Sequence, residues 1–277
     1  MYARVVVRSA HSGNCLLRTI RDRPRGYFNP FVKSLAFGQG VPDAQVKAIL
    51  AEFRRIIIFS IFRPSGKSEK FVRYIRSPYL RRLTIVCLWE NSAGRGLPPD
   101  LPIHELPVGP MSSLTHLAVI VDYFHPRGVW QSPIPGLPSP TSMMPLTPNP
   151  YENLTHFATC SDRWSSMIDL PTVAKKLRYF AVLERGWMLP LPLSTHASLV
   201  RSMQSIGDPR FVVIQGMAYN PYGEPSSWNI DDCFAPSGFW NKVERLVDEG
   251  FLSDQGDRWP ESAYQLYDQV NAMSSVS

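Results

Sequence analysis

One six-residue line recurs along this chain and limits what it can fold into. The line is apolar-x-x-apolar-x-apolar. Its clearest copy is Leu114-Thr115-His116-Leu117-Ala118-Val119, and Leu154-Thr155-His156-Phe157-Ala158-Thr159 nearly repeats it. Looser copies occupy residues 32–37, 53–58, 80–85 and 177–182. The alternation at the end of each line is strand periodicity, so each copy predicts one short strand with its fourth and sixth residues turned to the core.

The segments between the lines read as helices. Leu16, Leu17 and Ile20 fall at helical spacing within residues 9–21, and Val46, Ile49 and Leu50 do so after Pro42-Asp43. A third helix is predicted from Ser68, with Phe71, Val72 and Ile75 inward, and a fourth over residues 195–205, with Leu199, Val200 and Met203 inward. Strand, helix, strand with crossovers of this length predicts a parallel sheet. A short strand recurring with a helical return is the pattern of a leucine-rich repeat. The lines start at 32, 53, 80, 114, 154 and 177, giving steps of 21, 27, 34, 40 and 23. A regular repeat holds roughly 20–29 residues, and the excess falls in insertions at 92–110 and, rich in Pro, Ser and Met, at 126–150.

The expected fold is therefore α/β, an irregular leucine-rich-repeat-like solenoid over residues 1–218 with seven or eight parallel strands. A further strand is expected at each end, around Val5 and Val7 and at 211–217. Residues 219–277 read as a C-terminal loop and helical cap, which solenoids need over their last open edge. Its main helix spans 239–249, with Phe239, Val243, Leu246 and Val247 on one face and Trp240 beside it; a short helix is expected at 262–273. The predicted core is Val32, Leu35, Phe37, Ile56, Ile58, Leu80, Leu83, Ile85, Leu114, Leu117, Val119, Leu154, Phe157, Leu177, Phe180 and Val182.

Charge and cysteines narrow the function. Net charge is +6, from 29 basic and 23 acidic residues. The Lys and Arg residues are scattered, without a block or a basic-aromatic repeat, which argues against a nucleic-acid partner. Cys15, Cys87, Cys160 and Cys233 form no CxxC pair, so the chain reads as reduced and intracellular, in the cytoplasm or nucleus. The longest apolar run, 56–62, falls far short of the roughly 20 residues of a membrane span, so no membrane partner is expected.

Alternation along the strands turns the third residue of each line outward. Stacking the lines gives a column of Ser34, Arg55, Arg82, His116, His156 and Tyr179. Arg and Tyr suit interface anchors, and Arg55, Arg82, His116, His156 and Tyr179 are the candidate partner-binding residues. Beside this column run a stripe of mostly small residues (Ala36, Ile57, Thr84, Ala118, Ala158, Ala181) and an apolar one (Gly38, Phe59, Val86, Ile120, Cys160, Leu183). The apolar stripe calls for a cover by a loop, the C-terminal helix or a partner. His116 and His156 find no Cys, Asp or Glu in their column to complete a zinc set, so no metal or cofactor is expected. Gly66-Lys67-Ser68 follows a strand and opens a helix, as in a phosphate-binding loop. Ile61 stands where that motif needs glycine, and Pro64 removes a backbone N–H; a nucleotide-binding α/β protein is the enzyme-like alternative. There is no GxSxG, HExxH or GxGxxG pattern, and the Asp231-Asp232 pair reads as a turn cap. No catalytic residue is expected, and the chain reads as a non-enzymatic scaffold for an unknown protein partner. A truncated relic without a function is the remaining alternative.

Phe31-Val32-Lys33-Ser34-Leu35 before a helix and Phe53-Arg54-Arg55-Ile56, the Leu-Thr-His lines, Asp208-Pro209-Arg210-Phe211-Val212-Val213 and the Phe239-Trp240 helix together resemble a family of mushroom-type fungal F-box and leucine-rich-repeat-like proteins. The resemblance runs over nearly the whole chain, through degenerate motifs. It implies recognition of substrates for a ubiquitin ligase, with the F-box binding the Skp1 adaptor. The chain starts directly on a strand line, so the adaptor-binding module is expected to be missing here.

Overall fold

The computed structural model describes residues 3–64, 74–75, 77–89, 113–123, 151–160, 170–187, 193–219 and 238–260. The chain is an α/β protein in two compact units, residues 1–155 with 162–177 and residues 156–161 with 178–277. Among the described residues no helix is long and apolar enough to cross a membrane.

In the first unit the elements are β1 (Ala3–Ser9), α1 (Ala10–Arg21), β2 (Val32–Gly40), α2 (Asp43–Glu52), β3 (Ile58–Pro64), β4 (Arg82–Trp89), β5 (His116–Tyr123) and the single turn α3 (Leu170–Val173). β1 to β5 pair in chain order, each parallel to the next. The turn from β1 into α1 is set by a capping box. Ser9 Oγ accepts from the Ser12 N–H, and Ser12 Oγ accepts from the Ser9 N–H at 2.9 Å, which satisfies donors a helix start otherwise leaves open. Where α1 crosses α2, a Cβ on Gly13 would lie 2.1 Å from Gln45 Oε1. That closeness lets Gln45 Nε2 donate to the Ala10 carbonyl at 3.2 Å and to Asn14 Oδ1 at 2.9 Å.

The register stacks like positions of the line. Leu35, Phe59, Leu83 and Leu117 are paired in turn, as are Phe37, Ile61, Ile85 and Val119, and all eight are buried. This stack corrects one expectation. The third line starts at Ile56, not Phe53: α2 runs through Glu52, Phe53 is its C-cap, and the chain needs the next residues to turn. The line is Ile56-Ile57-Ile58-Phe59-Ser60-Ile61, and the starts at 32, 56 and 80 are evenly spaced by 24. Ile58 therefore leaves the predicted core and takes the outward third position, half-buried, while the other predicted core residues are all buried.

The second unit contains β6 (His156–Cys160), β7 (Tyr179–Trp187), α4 (Leu193–Ile206), β8 (Phe211–Tyr219) and α5 (Phe239–Asp248). β6, β7 and β8 are again parallel and in chain order. Their core is an aromatic ladder: Phe157 meets Phe180 edge-on at 5.0 Å, and Phe180 stacks on Phe211 at 4.3 Å. Leu199, Val200 and Met203 of α4 are buried, as their spacing predicts. In α5 the buried residues are Phe239, Trp240, Val243 and Leu246, whereas Val247 is half-buried, so the apolar face is turned slightly from the expected one. Gly250 ends α5 at φ 77°, with Gly250 N–H on the Val247 carbonyl and Phe251 N–H on the Leu246 carbonyl. This is a Schellman closure, which glycine enters without steric cost.

The residues after α5 cover the outer edge of β8. Val213 N–H donates to the Leu252 carbonyl at 2.8 Å, Asp254 N–H to the Val213 carbonyl at 3.1 Å, and Trp259 Nε1–H to the Phe211 carbonyl at 3.0 Å. An open strand edge invites pairing with other chains, and this segment covers the start of the β8 edge, at Phe211 and Val213. The boundary expected at 218/219 falls inside the second unit, because α5 and the edge segment pack onto β7 and β8. The helices expected at 68 and at 262–273, and the insertions at 92–110 and 126–150, lie outside the described residues.

Candidate functional site

The outward third positions are the candidate site, and in the first unit the register aligns Ser34, Ile58, Arg82 and His116 on adjacent strands. Arg55 does not belong to this column. It lies exposed in the α2–β3 connection, displaced by the three-residue shift of the line. Ser34 is buried, and Ile58, Arg82 and His116 are half-buried. His116 is oriented from the strand entry: Thr115 Oγ1 donates to the Arg81 carbonyl at 3.0 Å and lies 2.8 Å from His116 Nδ1. A hydroxyl has one proton, already given to the carbonyl, so Nδ1 carries the proton of that second bond. The neighbouring outward stripe, with Ser60 in place of Ile57, consists of Ala36, Ser60, Thr84 and Ala118, all buried. The hydroxyls of Ser34 and Ser60 have no hydrogen-bond partner among the described residues. In the apolar stripe the register substitutes Phe62 for Phe59, which turns into the core.

In the second unit the same outward face is closed by the chain's own helix. His156 is 7% exposed. Its ring stacks on Tyr179 at 4.6 Å with an interplanar angle of 24°, meets the Trp240 ring edge-on at 5.3 Å, and donates from Nε2 to Glu244 Oε1 at 3.0 Å. The Tyr179 hydroxyl donates to Asp248 Oδ1 at 3.3 Å. Burial raises the Tyr179 pKa, the Asp248 carboxylate and its hydrogen bond raise it further, and Arg178 opposes them. The phenol is held neutral as a donor, and His156 is held by three side chains of the same unit. The arrangement fastens α5 to β6 and β7; it presents neither an activated nucleophile nor an accessible base. Its helical half escapes a reading of the strand lines. Glu244 and Asp248 are four apart, on one flank of α5, and that spacing on the polar side of an amphipathic helix is the only trace they leave in the sequence.

A Ser, an Asp and a His also meet in this unit. Ser253 Oγ donates to Asp257 Oδ2, and His196 Nε2 donates to the same oxygen at 3.2 Å. In a nucleophilic triad the histidine stands between the other two. Here the carboxylate does, and Ser253 is fully buried and accepts from the Gln255 and Asp257 N–H groups. This is a latch tying the start of α4 to the edge segment. The Ser253 hydroxyl is the main cause that holds the Asp257 pKa below its usual value; burial opposes it, and His196 helps it. A depressed folded pKa gives stability that is present above the unfolded value near 3.9 and lost as pH falls through the folded one. Asp257→Asn is therefore expected to flatten the acid limb below about pH 4 in thermal melts against pH. Parallel limbs for variant and wild type would mean that the Ser253–Asp257–His196 contacts add no acid-sensitive stability.

Gly66, Lys67 and Ser68, and Asp231 and Asp232, lie outside the described residues. β3 remains paired through Pro64, opposite Leu88 of β4, so strand extends to within two residues of Gly66. Cys15 is exposed and free, 3.6 Å from His11 Nε2. Cys87 and Cys160 lie in β4 and β6. No family model, curated protein or solved structure matches this chain.

Proposed function

We propose that the chain is a non-enzymatic recognition scaffold, an irregular leucine-rich-repeat-like solenoid that binds a protein partner through the outward column of its first unit. The observation that carries this reading is the register that sets Arg82 opposite His116, both half-buried, on strands whose inward residues are sealed. Two long polar side chains fixed on neighbouring strands, about 4.8 Å apart, form an anchor pair of the kind interfaces use. His156 and Tyr179 drop out of the binding set because α5 engages both. The resemblance to mushroom-type F-box proteins extends the reading to substrate recognition for a ubiquitin ligase.

The test is a tagged pull-down from fungal extract of the full chain beside Arg82→Glu/His116→Glu, each checked for folding by its melting curve. A polypeptide held by wild type and lost from the folded variant is the expected result. A partner held equally by both would remove the column from recognition, and Skp1 among the captured proteins would support the ligase reading.

A further inference from the structure

The basic residues look scattered along the sequence but are unevenly divided. Residues 1–89 hold 17 of the 29 basic residues and only 4 of the 23 acidic ones, a net +13, and the rest of the chain is net −7. That asymmetry is hidden in the overall +6, and such a division points to a polyanionic partner.

The fold gathers part of this charge on one edge of the first unit. The strands are parallel and in register, so the segments that enter β2, β3 and β4 lie side by side. Hydrogen bonds join them: Arg54 N–H donates to Asn29 Oδ1 at 2.8 Å, Ile57 N–H to the Lys33 carbonyl at 2.8 Å, Ser77 Oγ to the Ile56 carbonyl at 2.6 Å, and Arg81 N–H to the Ile57 carbonyl at 2.8 Å. Arg23 and Arg25 lead toward β2, Arg54 and Arg55 toward β3, and Arg81 toward β4. All five are exposed, and among the described residues none of them forms an ion pair.

Aromatic rings lie between these arginines. Tyr27, Phe31 and Tyr79 are 45%, 49% and 53% exposed, and they are the large apolar side chains left exposed among the described residues. All three stand on this edge. Tyr27 and Phe31 are 5.9 Å apart between ring centroids, and the Arg23 guanidinium lies 5.4 Å from the Tyr27 ring. The connecting segment is packed beneath them: Tyr27 meets Phe28 edge-on at 5.1 Å, Phe28 packs near Phe53, and Lys33 Nζ donates to the Asn29 carbonyl at 3.2 Å.

We propose that this strand-entry edge binds single-stranded nucleic acid, with phosphates on Arg23, Arg25, Arg54, Arg55 and Arg81 and bases stacked on Tyr27, Phe31 and Tyr79. Guanidinium groups match phosphate oxygens two at a time. Exposed rings offer a face to any base, which is how proteins hold single strands without reading sequence. An acidic protein or an anionic lipid surface would use the arginines and would also bury rings. Rings set between guanidinium groups favour single strands among these partners, because each base needs a stacking face beside its phosphate. This edge adjoins the Arg82–His116 column at Arg81, whose carbonyl accepts from the His116 N–H at 3.0 Å; the variants below leave Arg82 and His116 in place, so each proposal can fail without the other.

The test is fluorescence anisotropy of the full chain with labelled mixed-sequence single-stranded RNA and DNA 20-mers, with heparin and phosphatidylserine vesicles as comparison polyanions. Two variants are run beside wild type: Tyr27→Ala/Phe31→Ala/Tyr79→Ala and Arg54→Glu/Arg55→Glu/Arg81→Glu. These side chains are exposed, so both variants should fold, which melting curves check. The expected result is saturable binding to the single strands that weakens with salt at a log–log slope of about −0.7 per phosphate engaged. The ring variant should lose roughly fivefold to a hundredfold per stacked base while binding heparin as wild type does, and the arginine variant should lose both. Two results would overturn the proposal. One is no saturable binding to either strand by folded protein at low salt. The other is a ring variant that binds single strands as tightly as wild type, which would leave a patch that attracts any polyanion.

Discussion

Replacing Phe180 by alanine is expected to destabilise the second unit by about 3–5 kcal/mol, the usual range for deleting a buried aromatic ring. Phe180 has no exposed surface, and it is the middle ring of three, edge-on to Phe157 and stacked on Phe211. Its loss removes apolar burial and two aromatic contacts together, and it opens a cavity that strands hydrogen-bonded on both sides cannot collapse to fill. Urea unfolding followed by far-ultraviolet circular dichroism measures the effect. A marginal domain holds 5–15 kcal/mol in all, so the midpoint should fall to a large fraction of its wild-type value or the unit should fail to fold. Phe180→Leu, which keeps most of the volume, should cost under about 2 kcal/mol. A Phe180→Ala cost under 1 kcal/mol would mean that the three rings are not the core of this unit.

The strand frame was legible because its signal is local. An apolar residue at the first, fourth and sixth positions of a line is a statement about three side chains, and Leu114, Leu117 and Val119 obey it. The error at β3 arose where the signal is degenerate. Residues 53–62 are apolar at Phe53, Ile56, Ile57, Ile58, Phe59, Ile61 and Phe62, so two alignments fit the line. The end of α2 decides between them, and a sheet period of two means a shift by three turns every side chain over. That is why Ile58 and Arg55 were misplaced together. The site was less legible because it depends on tertiary placement. Nothing near His156 in sequence announces Glu244, 88 residues later. The arginines at 23, 54 and 81 become neighbours only when parallel strands bring their entries to one edge. The outward column was read as open because solenoids usually leave that face to partners. The sequence did contain the correction, an amphipathic C-terminal helix too apolar to stand alone.

Trp240→Ala should test that cover directly, with an expected cost of about 3–5 kcal/mol and a second readout that a general loss of stability would not give. Trp240 is buried against His156 on one side and Phe239 on the other. Without the indole, α5 keeps Val243 and Leu246 as anchors and the Glu244–His156 and Asp248–Tyr179 bonds as fasteners. Such bonds between partly solvated groups add little once packing is lost. The helix should therefore lift from β6 and β7 more often than the unit unfolds, as local opening at the weakest contact. Reaction of histidines with diethylpyrocarbonate, read by mass spectrometry under native conditions, follows this opening. In wild type His156 should react far more slowly than the exposed His11. In Trp240→Ala, at a temperature where circular dichroism shows the fold retained, His156 should gain reactivity while His11 is unchanged. Equal protection of His156 in variant and wild type would mean that something other than α5 shields it. A gain at His156 with the fold retained would establish that the second unit closes its own outward face.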